Sequence, residues 1–210
     1  MERFALPDGR MLDYDRWGSV RPPMVVLLGT RHSTAPDDYG DVVVLLKTLA
    51  YRDLIIPHDL ATHPDARDRS AADLAVLIEE TADGAAHVYA RGDAVEVGLT
   101  LAARTPTRVR SLIVELAAEP FAEPVFDAAG LLEMFGRLTQ PTLVLQGEWS
   151  FGMSEGESLL DRANRFGPHR GIGRVAFVTL PGLRSPARDA GEYWRWEDVG
   201  WIVRGFLELR

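Results

Sequence analysis

Cysteine is absent from this 210-residue chain. That excludes a disulfide framework, a thiolate metal site and a cysteine nucleophile. Lysine occurs once, at Lys47, and the other 22 of 23 basic residues are arginine, the usage of a GC-rich genome. Basic charge is also in deficit, with 31 acidic residues giving a formal net charge of -8. Nucleic-acid and anionic-membrane binders lean basic, so neither partner is expected. No apolar stretch approaches the roughly 18–20 residues of a spanning helix. Met1-Glu2-Arg3 is followed by no apolar leader run, so the expected location is cytoplasmic. What remains is ordinary globular composition, 46% hydrophobic and 26% charged. The length fits one domain, and 1–210 is read as a single one.

Short runs rich in Val, Ile and Leu alternate with longer amphipathic segments, the pattern of an α/β fold with a mostly parallel sheet. Strands are expected at Glu2–Leu6 and Arg10–Trp17, joined at Pro7-Asp8-Gly9, a hairpin turn signal. Further strands are expected at Met24–Leu28, Leu54–Pro57, Ala86–Ala90, Arg110–Leu116, Pro141–Gln146 and Gly173–Leu180. Helices are expected at Asp37–Leu49, from Ser70 onward, and at Asp93–Thr105, Ala128–Arg137, Glu157–Phe166 and Glu192–Leu209. Ser70 and Asp73 have capping-box spacing ahead of the apolar face Leu74, Val76, Leu77 and Ile78. The last helix carries Val199, Ile202, Val203 and Phe206 at helical spacing.

Five phrases in this order resemble the α/β-hydrolase superfamily, over nearly the whole chain. Met24-Val25-Val26-Leu27-Leu28-Gly29 is similar to the strand ending in the family's oxyanion loop. Asp59-Leu60-Ala61-Thr62-His63-Pro64 resembles a degraded Asp-x-Arg-Gly-His-Gly segment. Val88 to Val109, with Leu101-Ala102-Ala103-Arg104-Thr105-Pro106-Thr107-Arg108-Val109, is similar to the nucleophile strand, elbow and following helix. Pro141-Thr142-Leu143-Val144-Leu145-Gln146-Gly147-Glu148 resembles the strand leading to the acid, and Leu180-Pro181-Gly182 the approach to the histidine loop. The resemblance implies an α/β-hydrolase fold: an eight-stranded, mostly parallel sheet with helices on both faces. About 24 residues separate Leu116 from Pro141, so the lid that family members insert there is expected to be reduced or absent.

The same alignment empties the three catalytic roles. The elbow falls on Ala90-Arg91-Gly92-Asp93-Ala94, which puts Gly92 where the family mounts its nucleophile. The acid position is Ser150, the histidine position Arg184 or Ser185, and no histidine follows His169. Ester, amide and thioester hydrolysis are therefore not carried over. A one-residue slip would make Asp93 a nucleophile, but its flanking glycines are missing and no capable histidine is in place; the plainer reading is that Gly92 relaxes the left-handed strain and Asp93 stabilises the helix start. Among the five histidines, His32 lies in the loop that would bound the oxyanion pocket. It is a candidate base, or with Arg31 an anion ligand, or simply loop surface. His58 follows a strand end near the mouth of the sheet. His87 lies within a strand, while His63 and His169 read as surface.

In an open α/β sheet, ligands gather at the carboxyl ends of the strands. The candidate catalytic residues are His32 and Asp93. The candidate substrate-binding residues are Thr30, Arg31, Asp59, Arg91, Gly92, Trp149, Arg184 and Ser185. The resemblance places the oxyanion donors at the backbone N–H groups of Thr30 and Asp93, which need no particular side chain. No spacing of His or carboxylates forms a metal set on one element, and neither metal nor cofactor is expected. The expected function is a non-hydrolytic enzyme on a hydrolase scaffold. Its chemistry would be enolate-type isomerisation, epimerisation, cyclisation or a lyase step in bacterial natural-product metabolism. The expected partner is a small molecule or peptide with an anionic group, with a homodimer left open. The alternatives are a non-catalytic pseudoenzyme using the same cleft for a ligand or protein, and a residual hydrolase with relocated residues such as Ser33 or Asp93. Tyr193, Trp194, Trp196 and Trp201 would supply a partner-binding patch if they do not pack on the sheet.

Overall fold

The computed structural model describes residues 1–18, 24–29, 43, 46–47, 53–58, 60, 64–116, 128–147, 174–180 and 196–208. In chain order these hold β1 (Glu2–Ala5), β2 (Met11–Trp17), β3 (Val25–Leu28), β4 (Leu54–Pro57), α1 (Pro64–Thr81), β5 (Ala86–Arg91), α2 (Val95–Arg104), β6 (Val109–Leu116), α3 (Ala128–Gly136), β7 (Thr142–Gly147), β8 (Val175–Leu180) and α4 (Trp196–Glu208). A short 3-10 turn, Gly92–Ala94, joins β5 to α2, and another, Pro106–Arg108, precedes β6.

The eight strands form one sheet in the order β1-β2-β4-β3-β5-β6-β7-β8. β1, β2 and β4 pair antiparallel, and every pair from β4 to β8 is parallel. This is the α/β-hydrolase-like architecture expected from the sequence. β3 and β4 are buried at every position, which is why they read as unbroken apolar runs and not as alternating ones. One face of the sheet, with Val26, Leu28, Val88, Leu112 and Val114, packs on Leu74, Leu77 and Ile78 of α1, Val95 and Leu99 of α2 and Phe135 of α3. The other face, with Val25, Leu27, Tyr89, Ile113 and Leu145, packs on Val43, Leu46 and Val199, Val203 and Leu207 of α4. Helices therefore cover both faces. Among the described residues no helix is long and apolar enough to cross a membrane.

Several expectations change. Helix α1 starts at Pro64, not Ser70. Proline lacks the N–H that a first helical position leaves unused, and its φ is already helical. Ser70 is thus an interior, buried helix residue and not a cap. Asp73 caps nothing either: it receives both terminal nitrogens of Arg10, at 2.7 and 2.8 Å. Arg10 also bonds Asp8 through Nε, which ties the β1–β2 hairpin to α1. The segment expected to be helical from Asp93 divides into the 3-10 turn and α2 proper. In α4, Val199 and Val203 are buried as the spacing implied, whereas Trp201 is 64% exposed with the Arg204 guanidinium 5.2 Å from its ring centre. Of the four aromatic residues considered for a partner patch, Tyr193 and Trp194 lie outside the described residues, as do the Trp196 side chain, the helix expected at Glu157–Phe166 and the first part of the segment between Leu116 and Pro141, where a reduced lid was expected.

Helix α2 approaches β5 very closely. A Cβ placed on Gly98 would stand 2.8 Å from the Ala90 Cβ, whereas one on Gly205 in α4 would meet nothing within 4 Å. Gly98→Ala is expected to lower unfolding stability by about 1–3 kcal/mol through overpacking. Gly205→Ala is expected to raise it by about 0.5–1 kcal/mol by restricting the unfolded chain. Urea denaturation of the two variants checks both signs.

Candidate functional site

The chain runs from β3 to β4 on one side, then returns to β5 on the other side of β3. The sheet order reverses between β3 and β5, the point where open parallel sheets leave a crevice beyond their carboxyl ends. Leu28 and Ala90 are paired there, and the next residues are Gly29 on one strand and Arg91-Gly92 on the other.

Arg91 ends β5 in an extended conformation, φ -135° and ψ 159°. Gly92 then takes φ +57°, the left-handed region, and Val95 donates its N–H back to the Gly92 carbonyl. The strand turns into the helix at a single residue. That turn is the elbow expected from the sequence, and the residue at its strained position is Gly92. Asp93 follows as the second residue of the 3-10 turn; its side chain lies outside the described residues. Thr30, Arg31, His32, Asp59, Trp149, Arg184 and Ser185 also lie outside them, as do Ser33, His63, Ser150 and His169. Of the sequence-derived site residues, the structure thus brings together Arg91, Gly92 and the backbone of Asp93.

The structure adds two residues to these, Tyr89 and Glu115. Arg91 pairs in register with Glu115 of β6, and Tyr89 lies two residues back on the same face of β5. Glu115 is fully buried, and the Tyr89 hydroxyl donates to its Oε2 at 2.8 Å. Arg91 Nε stands 3.9 Å from that same oxygen, its side chain 12% exposed. Burial pushes the Tyr89 phenol well above its ordinary value, reinforced by the charge of Glu115 and opposed by Arg91. The phenol is therefore held as a donor. A carboxylate directly after the apolar run Leu112–Val114 was the available sequence signal, and the strand pattern alone gave it no partner.

Two histidines have partners elsewhere. His58 Nε2 is 3.0 Å from Asp15 Oδ2 on β2, so its contact is with the antiparallel part of the sheet. His87 Nδ1 shares a 2.7 Å hydrogen bond with Ser111 Oγ. This Ser–His pair is buried near the amino ends of β5 and β6, on central strands and away from the elbow. Among the described residues, no group of three His, Asp or Glu is placed to hold a metal ion.

The fold of the whole chain is similar to that of solved hydrolase-type structures. A hydrolase from Pseudomonas aeruginosa PA01 is 18% identical, with 98% of this chain and 97% of that one covered, at a TM-score of 0.65. The haloalkane dehalogenase DbeA from Bradyrhizobium elkani USDA94 is 17% identical, with 100% and 99% covered, at 0.64. The thioesterase domain from the curacin biosynthetic pathway is 16% identical, with 93% and 97% covered, at 0.61. No protein-family model and no curated protein matches the sequence. The likeness establishes the α/β-hydrolase fold.

Two outcomes follow from this geometry. Gly92→Ala should lower stability by about 1–2 kcal/mol in urea denaturation, the cost of a Cβ in the left-handed region. Tyr89 has its folded pKa raised, so its contribution is fully present below the unfolded tyrosine value near 10 and is lost as pH rises from there toward the folded value. An alkaline titration of tyrosinate absorbance should show a late phase that coincides with unfolding, and Tyr89→Phe should remove it.

Proposed function

We propose that this protein is a non-hydrolytic enzyme on an α/β-hydrolase scaffold, acting on a small-molecule or peptide substrate with an anionic group through an enolate. The carrying observation is Gly92 at φ +57°: the elbow backbone is formed, and its turning residue has no side chain. Covalent acyl transfer needs an attacking side-chain oxygen at that point, and glycine has none. The proposal extends this to the other two triad roles, at Ser150 and at Arg184 or Ser185.

Backbone N–H groups do not depend on the nucleophile. In the proposed reaction the N–H groups of Thr30 and Asp93 hold the substrate carbonyl oxygen as negative charge develops on it. A base, for which His32 is proposed, removes the adjacent carbon's proton. The electron pair moves into the carbonyl to give the enolate, a solvent proton delivered to the opposite face gives the epimer, and the base returns the proton it took to solvent. Elimination or ring closure from the same enolate gives the lyase and cyclase outcomes. Arg91 is proposed to bind the substrate's anionic group, together with Arg31 and Arg184, while Asp59, Trp149 and Ser185 complete the binding set. The dehalogenase and thioesterase likenesses support the scaffold, and the glycine supports the departure from their chemistry.

Peptide and polyketide acids that bind the protein should acquire deuterium beside the carbonyl when incubated in D₂O, read by mass spectrometry, and a fluorophosphonate probe should leave the protein unlabelled. Stoichiometric labelling overturns the missing nucleophile. Binding without exchange or any mass change overturns the enzyme reading and leaves a ligand-binding pseudoenzyme.

A further inference from the structure

The polar group beside the elbow has an order that the proposed function does not by itself require. Along the face of β5 that carries it, Tyr89 is followed by Arg91, and across the strand gap stands Glu115. The neighbours on this face are Leu27, Ile113 and Leu145. A fully buried carboxylate in such surroundings is costly unless it is paired and hydrogen-bonded. Here the Tyr89 hydroxyl and Arg91 Nε converge on one oxygen, Oε2, at 2.8 and 3.9 Å. The tyrosine has two side-chain rotors and is fully buried, so it locks the carboxylate; the carboxylate in turn restrains a longer and more flexible arginine.

We propose that Glu115, held by Tyr89, is the positioning residue that fixes the Arg91 guanidinium beside the Gly92 turn, so that the site takes a carboxylate by directed N–H groups and not by surplus positive charge. This rests on the reading of Arg91 as the anion ligand. The Arg91–Glu115 pair is formally neutral. Its value to a ligand is therefore geometric: a planar guanidinium held in one orientation loses less entropy when it receives a planar carboxylate. Nε of Arg91 stands at ion-pair distance from the Glu115 oxygen that Tyr89 holds.

Removal of the Glu115 charge is expected to act with an unusual sign. Glu115→Gln makes the site more positive by one charge, so simple attraction would tighten anion binding. Positioning requires the reverse. Benzoate is the probe, titrated into the full-length protein labelled with ¹⁵N and followed at the arginine Nε–H resonances, with the Arg91 signal assigned by its loss in Arg91→Lys. In the unsubstituted protein the Arg91 signal should exchange slowly with solvent and shift with benzoate. Glu115→Gln should speed that exchange and weaken benzoate about tenfold. Tyr89→Phe, which changes no charge, should weaken it about threefold with partial loss of protection. It serves as the second variant where Glu115→Gln does not fold. A merely structural role would lower the melting temperature without moving the Arg91 signal or the benzoate affinity. Unchanged or tighter benzoate binding in both variants overturns the positioning role while leaving Arg91 as the anion ligand. No shift of the Arg91 signal in the unsubstituted protein overturns the anion-site reading itself, independently of the deuterium-exchange result.

Discussion

Helix α2 lies so close on strand β5 that the chain between them has room for only an abrupt turn. The contact of Gly98 with Ala90 sets that distance: one added methyl group would leave the two Cβ atoms 2.8 Å apart. The turn is made at Gly92, which enters the left-handed region, and the residues on either side inherit fixed positions. Arg91 stays on the face of β5 that carries Tyr89, and Asp93 begins the 3-10 turn. The reversal of strand order between β3 and β5 puts this turn beside the crevice of the sheet. Close helix packing and the left-handed residue thus go together, and they fix the backbone of the candidate site.

The fold was legible because its central strands are buried on both faces. Val25–Leu28 and Leu54–Pro57 have no solvent side, so their sequences are apolar without alternation and stand out from the amphipathic helices between them. The start of α1 was less legible. Pro64 belongs to a loop or to a first helical turn with equal ease, and Ser70-x-x-Asp73 imitated a cap while Asp73 was serving Arg10, a residue 63 positions away in the chain. Local pattern carries no information about a partner that distant.

The candidate site was legible at the backbone and hidden in the side chains. Gly92 could be placed because the elbow is a spacing, counted back from Pro106. Glu115 could not, because its contacts depend on strand register. Only when β5 and β6 are aligned does Arg91 fall opposite it and the Tyr89 hydroxyl reach it. The Ser–His pair of Ser111 and His87 is the converse case. Its residue types signal catalysis, but both side chains are buried near the amino ends of their strands. Residue type proposes a role, and position in the sheet decides it.

Gly92 and Glu115 affect stability in opposite directions. Glycine at a left-handed turn relieves about 1–2 kcal/mol of strain that a residue with a Cβ would carry. Glu115 brings no such gain: a buried ion pair replaced by well-packed apolar residues is often neutral or more stabilising, whereas removal of one partner costs about 3–5 kcal/mol. Leucine at 115 and an apolar residue at 91 would continue the Leu27–Ile113–Leu145 surface without any charge to bury. The chain instead keeps a carboxylate, a tyrosine to hold it and an arginine whose side chain is partly exposed next to the turn. Packing alone does not account for that set. Its least buried charged member stands beside the Gly92 turn, between β5 and the closely packed α2, which is the position the proposed anion ligand requires.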